Sequence, residues 1–304
     1  MAGDAARSEE GFTSARATRV MVAACRAAGL DDRGAELIRL GENALFRLAS
    51  APVIVRVARG KEYLPKARVE VGVSRWFGRE GFPAARIVED LEQPLLIEGH
   101  PVTFWHLIVE GERKATYGEL GGVLREMHSM TVPGGLLLPS YDPFDKQALR
   151  LDRAVIPDDD KVFLRKRWRE LRDKYAELRF ESAKGPVHGD AHVQNLMVDD
   201  QGRVILIDFE MFCYDHPEWD LMVTAVEHHS LGWQTHEQYA DFVAAYGRDL
   251  YDWPGYETLR RIQEFGMTTW LMQNVQEDEK TAAEYCRRIA ALRNEDAPRD
   301  WRPW

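Results

Sequence analysis

Near Gly111 the apolar residues of this chain change their spacing, and that change limits what the chain can fold into. Before it, the stretch LGENALFRLASAPVIVRVARG (40–60) carries two short strand-like runs, 45–48 and 53–57, about a turn at Ala51 and Pro52. Residues 86–88, 94–97 and 102–107 are also strand-like, the last two joined by the turn Glu98-Gly99-His100 with Pro101 behind it. Two helices interrupt this pattern. One covers 13–30, with Val20 and Ala24 in step and Gly29 at its end; the other covers 66–81, with Val69, Val73, Trp76 and Phe77 in step and Pro83 just beyond Gly81. After Gly111 the period is helical. Thr116 with Glu119 three residues later is a capping-box signature ahead of Leu120, Leu124 and Met127, and further helices are expected at 161–180, 217–229, 235–247, 255–274 and 279–293. A Pro- and Gly-rich loop fills 133–147. Only 196–198 and 204–207, flanking Asp199-Asp200-Gln201-Gly202, break the helical run, as a hairpin.

A chain of 304 residues exceeds the usual size of one core, so the change of period reads as a boundary between two lobes. The expectation is an α+β chain with a small β-rich lobe at 1–106 and a larger, mainly helical lobe at 107–304. The apolar runs VILI (204–207) and GGLLLP (134–139) are far shorter than a membrane span, and the first residues, MAGDAARSEEGFTSAR, mix acids and bases without a secretory pattern. A cytoplasmic location with no membrane partner is expected. Cys25, Cys213 and Cys286 are odd in number and widely spaced, as reduced structural cysteines would be. With 40 basic and 50 acidic residues the net charge is −10, which disfavours a nucleic-acid partner; the basic run RKRWREL (165–171) alternates with Trp168 and Leu171 and reads as a solvated helix face. A neutral or cationic small molecule suits this balance better.

Chemistry concentrates in HGDAHVQNLMVDD (188–200) and IDFE (207–210). Asp190 and Asn195 lie on the loop entering the hairpin, and Asp208 follows its second strand. Oxygen ligands of this kind suit a hard cation such as Mg²⁺, which is held by a few protein groups together with phosphate oxygens and water.

These residues, His188-Gly189-Asp190 with Asn195 and then Ile207-Asp208-Phe209-Glu210, resemble the catalytic and metal motifs of the aminoglycoside phosphotransferase family, which has a two-lobed, protein-kinase-like fold. The resemblance runs along most of the chain. VIVR (53–56) is similar to the strand that carries the phosphate-gripping base, Glu70 falls in the helix after it, and Trp219-Asp220-Leu221 resembles the segment whose aspartate braces the catalytic loop. It implies an O-phosphotransferase that uses ATP or GTP with Mg²⁺. Asp190 would orient a substrate hydroxyl and take its proton, Asn195 and Asp208 would hold the metal, and Arg56 would grip the phosphates with Glu70 fixing its direction. Lysine is the commoner residue at the position of Arg56, but a guanidinium can hold phosphate with two parallel hydrogen bonds. Gly41-Glu42-Asn43 would be the turn over the phosphates, without a G-x-G-x-x-G pattern, and the adenine would lie along 103–107, against Phe104, Trp105 and Leu107.

The implied substrate is a small hydroxylated molecule, an antibiotic of aminoglycoside or other type whose phosphorylation confers resistance. A metabolite kinase for an amino alcohol or sugar, and a nucleotide-binding scaffold without turnover, are the alternatives. Glu210, Asp215, His192 and Glu227 are candidates for substrate contact, and Glu210 also for a second carboxylate at the metal. The acidic run at 277–279 is equally well a solvated face. His188 and His192 have the spacing of zinc ligands on a helix, yet Gly189 argues against a helix there, so His188 is read as packing and His192 as facing the cleft or solvent. His228-His229 at a helix end reads as capping, Asp199 and Asp200 as turn residues, and Trp233, Trp253, Trp270, Trp301 and Trp304 as packing. No A-P-E motif follows Asp208, and the link to the next helix is short, which disfavours a protein kinase. A monomer or homodimer is expected.

Overall fold

Thr13 accepts the amide of Arg16 on its hydroxyl and so opens helix α1 (Ser14–Ala28), which Gly29 closes with φ at 70°. The computed structural model describes residues 12–303 apart from 42, 146, 273 and 277, so Glu42, Glu277 and Trp304 lie outside the described residues. The buried face of α1, with Val20, Met21, Ala24 and Cys25, packs on an antiparallel sheet of order β1-β2-β3-β5-β4. Its strands are β1 (Glu36–Leu40), β2 (Asn43–Arg47), β3 (Val53–Ala58), β4 (Leu95–Ile97) and β5 (His100–His106). Strand β1 was not expected, because ELIRL is exposed at four of its five positions and so shows no alternation. His100, expected in a turn, and Pro101 just behind it open β5, while the expected strand at 86–88 is reduced to a bridge between Ile87 and Trp105.

Helix α2 (Leu64–Glu80) lies against this sheet, capped by Gly81 at φ 71°. Its residues Trp76 and Phe77 join Phe82, Phe209 and Phe212 in an aromatic cluster, with ring centroids 4.5 Å apart for Phe77 and Phe82 and 5.6 Å for Phe77 and Phe209. Phe209 and Phe212 arrive from far along the chain. The chain divides into two compact units, and the first takes in residues 1–115, 133–138 and 194–212. It therefore extends past the 106/107 boundary read from the sequence and contains the later hairpin, β7 (Leu196–Val198) and β8 (Val204–Leu206).

The second unit comprises residues 116–132, 139–193 and 213–304. Its helices are α3 (Tyr117–Ser129), α4 (Gln147–Arg153), α5 (Asp158–Glu177), α6 (Glu218–His229), α7 (His236–Tyr246), α8 (Tyr256–Leu271) and α9 (Glu279–Arg293). The capping box at Thr116 and Glu119 is formed as expected, and Thr235 with Gln238 makes a second one ahead of α7. Helices α3 and α7 cross closely at Gly121, where a Cβ would come within 2.5 Å of the Phe242 carbonyl oxygen. Helix α4 starts at the last residue of the expected loop 133–147 and runs through a stretch with no expected element, and a two-stranded sheet of β6 (Gly185–Val187) and β9 (Cys213–Asp215) was also unexpected. Each of these strands has three residues, too few to show a period. Among the described residues no helix is long and apolar enough to cross a membrane.

Candidate active site

In the first unit the alternation of β3 turns Val53, Val55 and Val57 into the core and sends Arg56 to the other face of the sheet, towards α2. There its Nη1 donates to Glu70 Oε2 at 2.6 Å, and its Nη2 pairs with Glu210 Oε1. The same Glu210 oxygen accepts the side-chain amide of Asn43 at 2.5 Å. The expected pairing of Arg56 with Glu70 is thus present, in a pocket also lined by Tyr63 and Lys66. Burial pushes the Glu70 carboxyl up to about 7, and the nearby charge of Asp208 adds to the rise, while Arg56 opposes it.

The hairpin places two further candidates. Its ladder continues beyond Leu196 and Leu206, where the Ile207 amide donates to the Asn195 carbonyl at 2.9 Å, so Asn195 faces the segment that carries Asp208. Asp208 is exposed and has φ at 64°, a conformation that non-glycine residues rarely adopt. Phe209, buried among Phe77, Phe212 and Trp105, anchors the chain immediately after it and holds that strained backbone in place. An exposed carboxylate and an amide on adjacent strand ends form an oxygen donor set that fits Mg²⁺ completed by phosphate and water oxygens. Among the described residues no group of three or more His, Cys, Asp or Glu side chains gathers into a metal cage.

Other residues expected at this site also carry structural contacts. Glu210, expected at the substrate or the metal, pairs with Arg56 and Asn43 in this structure. Phe104 packs its ring in the core, gives its amide to the Gln93 side chain and accepts the amide of Val88, while Leu107 gives its amide to the Pro52 carbonyl. Trp105 is buried and donates its indole N–H to Thr103. Strand pairing and core packing thus engage these residues. Gly41 likewise gives its amide to the Asn43 carbonyl, and its own carbonyl accepts Arg59.

In the second unit the loop after β6 is pinned from beneath. The amides of His188 and Gly189 donate to the two carboxylate oxygens of Asp220, each at 2.8 Å, and His128 Nε2 meets Asp220 Oδ2 at 2.9 Å. Tyr246 hydroxyl holds the other nitrogen of His128 at 2.9 Å. Gly189 has φ at 81°, which turns the chain so that Asp190 emerges into solvent. His188 is fully buried, as expected of a packing residue. The bracing role read for Asp220 is visible in these bonds, whereas His128 and Tyr246 were not anticipated. A signal existed for His128, which sits on α3 in step with the buried Leu120 and Leu124, where a polar side chain needs a partner.

His192 Nε2 lies 3.4 Å from Asp190 Oδ2. Glu227, on α6, is held by the amide of Gln234 at 2.6 Å; its carboxyl is raised by burial and then by the charge of Asp190, and lowered by Gln234 and His192. Glu227, His192 and Asp190 therefore share one neighbourhood. Asp215 does not join them: it is 3% exposed, and its carboxylate accepts the amides of Tyr141 and His216 and meets Lys184. It staples β9 to its surroundings and is unavailable to a substrate. Trp253 and Trp301 are buried as expected, but Trp270 is 39% exposed on α8.

A model of the phosphotransferase enzyme family APH matches residues 38–265. No curated protein matches the chain by sequence. Among solved structures, an amicoumacin kinase in complex with AMP-PNP, Ca²⁺ and its ligand is similar at TM-score 0.72 and 16% identity, covering 93% of this chain and 95% of that one. A spectinomycin phosphotransferase is similar at TM-score 0.64 and 13% identity, covering 92% and 95% of the two chains. The choline kinase LicA from Streptococcus pneumoniae is similar at 0.64 and 18%, covering 90% and 98%. The family match spans most of the chain, and the fold agrees with it: this protein belongs to the APH phosphotransferase enzyme family.

Proposed function

We propose that the chain transfers the terminal phosphoryl group of ATP to a hydroxyl of a small molecule that carries a positive charge, with an antibiotic as the first candidate. The observation that carries this reading is the pinned loop of the second unit, in which Asp220 holds two successive amides and Asp190 is left half-exposed on the turn. A carboxylate positioned in this way can accept a hydroxyl proton as the oxygen attacks phosphorus. His192 adjoins that carboxylate and helps to orient it. Arg56 grips the nucleotide phosphates, and Glu70 fixes its direction. Asn195 and Asp208 hold Mg²⁺, which neutralises phosphate charge when bound.

Glu227 supports the choice of acceptor. A carboxyl within electrostatic reach of Asp190 and His192 adds to the acidic character set by Asp190 itself, which disfavours an acidic substrate. The similar structures are named for antibiotics and also for choline or ethanolamine, so phosphorylation of an amino alcohol is the second reading. Both predict nucleoside diphosphate release from Mg-ATP in the presence of the right acceptor. A panel of aminoglycosides, peptide and nucleoside antibiotics, amino alcohols and sugars, read by coupled diphosphate release and by mass spectrometry of the acceptor, separates them. A phosphorylated antibiotic supports the first reading, a phosphorylated amino alcohol the second, and silence with intact ADP binding sinks both.

A further inference from the structure

Arg56 has two carboxylate partners, and they are not equivalent. Glu70 extends from the middle of α2, its side chain is only 5% exposed, and it holds Nη1. Glu210 is 17% exposed and stands on the turn that follows Asp208, and it holds Nη2. Its backbone amide is only loosely tied, to Asp208 Oδ1 at 3.4 Å. The free space among Asn43, Arg56, Tyr63, Lys66, Glu70 and Glu210 is about 10 Å³, at most one water. The Glu210 carboxylate occupies the Nη2 edge of Arg56, so a phosphate that takes this edge has to displace it.

We propose that Glu210 is an exchangeable counterion for Arg56. The nucleotide binds by replacing the Glu210 carboxylate on Nη2 with a phosphate, while Glu70 stays on Nη1 and keeps the guanidinium aimed. This deepens the reading of Arg56 as the phosphate grip and rests on it. It also accounts for arginine here. A planar guanidinium can hold one fixed carboxylate on one edge and exchange anions on the other, which the single ammonium of lysine does with poorer geometry. Asn43 completes the device, since its amide holds the same oxygen of Glu210 and must also let go.

The test is isothermal titration of the full chain with ADP in EDTA, so that no metal contributes. Glu210→Gln leaves Arg56 with a neutral, weaker partner, and metal-free ADP should bind about tenfold tighter, the change expected for losing one charge-assisted hydrogen bond in competition. Glu210→Asp separates exchange from simple repulsion. It keeps the charge but is one methylene too short to stay on Nη2, so exchange expects it to tighten ADP several-fold as well. If Glu210→Asp binds as the unchanged chain does while Glu210→Gln tightens, repulsion is the cause and the proposal falls. It also falls if neither variant tightens. Should Glu210→Gln fail to fold, judged by near-ultraviolet circular dichroism, Glu210→Asp carries the test alone. Arg56→Ala marks the underlying reading: if it binds ADP as well as the unchanged chain does, Arg56 is no phosphate grip and both ideas fail. If it binds more weakly while the Glu210 variants change nothing, only the exchange is lost.

Discussion

Asp190 and Glu70 are both carboxylates, yet one stands in solvent with His192 at 3.4 Å and the other is sealed beneath the sheet against Arg56. Asp190→Ala should reduce kcat by about 10³-fold, in the range for removing a general base, and leave ADP affinity within about twofold. Steady-state kinetics with calorimetry checks this, and an equal loss of ADP binding would show that Asp190 is not acting at the transition state. Glu70 predicts a pH effect on stability. Its pKa is about 4.5 when unfolded and about 7 when folded, so the folded chain binds the extra proton between those values. The stabilisation is complete below 4.5 and is lost as pH rises through about 7, by up to ~3 kcal/mol. In metal-free buffer Tm should therefore fall more between pH 5 and 8 in the parent chain than in Glu70→Gln. Parallel curves would mean that Arg56 offsets the burial of Glu70 completely. The pairing of Arg56 with Glu70 was legible in motif order, because a strand that alternates and a helix that follows it put 56 and 70 side by side. The partners of Glu210 were not, since Asn43 lies 167 residues away in the chain.

At the scale of single elements, the loop that carries Asp190 depends on helix α6. Asp220 is fully buried and accepts two amides and His128, so Asp220→Ala leaves those amides without an acceptor in a dry site. Each buried unsatisfied group costs about 1–3 kcal/mol, and the loop that presents Asp190 loosens. The expected outcome is a loss of about 3 kcal/mol or more in chemical denaturation together with a kcat reduced more than KM for ATP is raised. A change in KM alone would point to the nucleotide side instead. Elements with several turns or a strong cap were readable in the sequence: α1, α2 and α3 begin and end close to where the caps and periodic residues put them. The hairpin β7/β8 was readable because Asp199 and Gly202 carry turn chemistry, and Asp199 indeed holds the amides of Gln201 and Arg203. Strands β6 and β9 were not, because three residues held by pairing with a distant segment carry no period of their own.

The whole molecule divides its chain differently from a single cut. Residues 194–212 belong to the first unit, where Phe209 and Phe212 complete the aromatic cluster of Trp76, Phe77 and Phe82. A fragment of residues 1–115 alone would expose that cluster and should bind a hydrophobic dye and aggregate. Joining 194–212 and 133–138 to it should raise its Tm, and removing one ring by Phe209→Ala should cost the full chain about 3–5 kcal/mol. A fragment 1–115 that melts cooperatively without the dye would refute the division. The sequence by itself determined the α+β order of elements, the caps, and the succession of Arg56, Glu70, Asp190, Asn195 and Asp208, because periods, caps and motifs are properties of neighbouring residues. The tertiary structure alone decided that Glu210 sits on Arg56, that Phe104 and Asp215 are spent on packing and pairing, and that the hairpin joins the first unit. Those outcomes depend on which distant side chains compete for the same hydrogen bonds and the same buried volume.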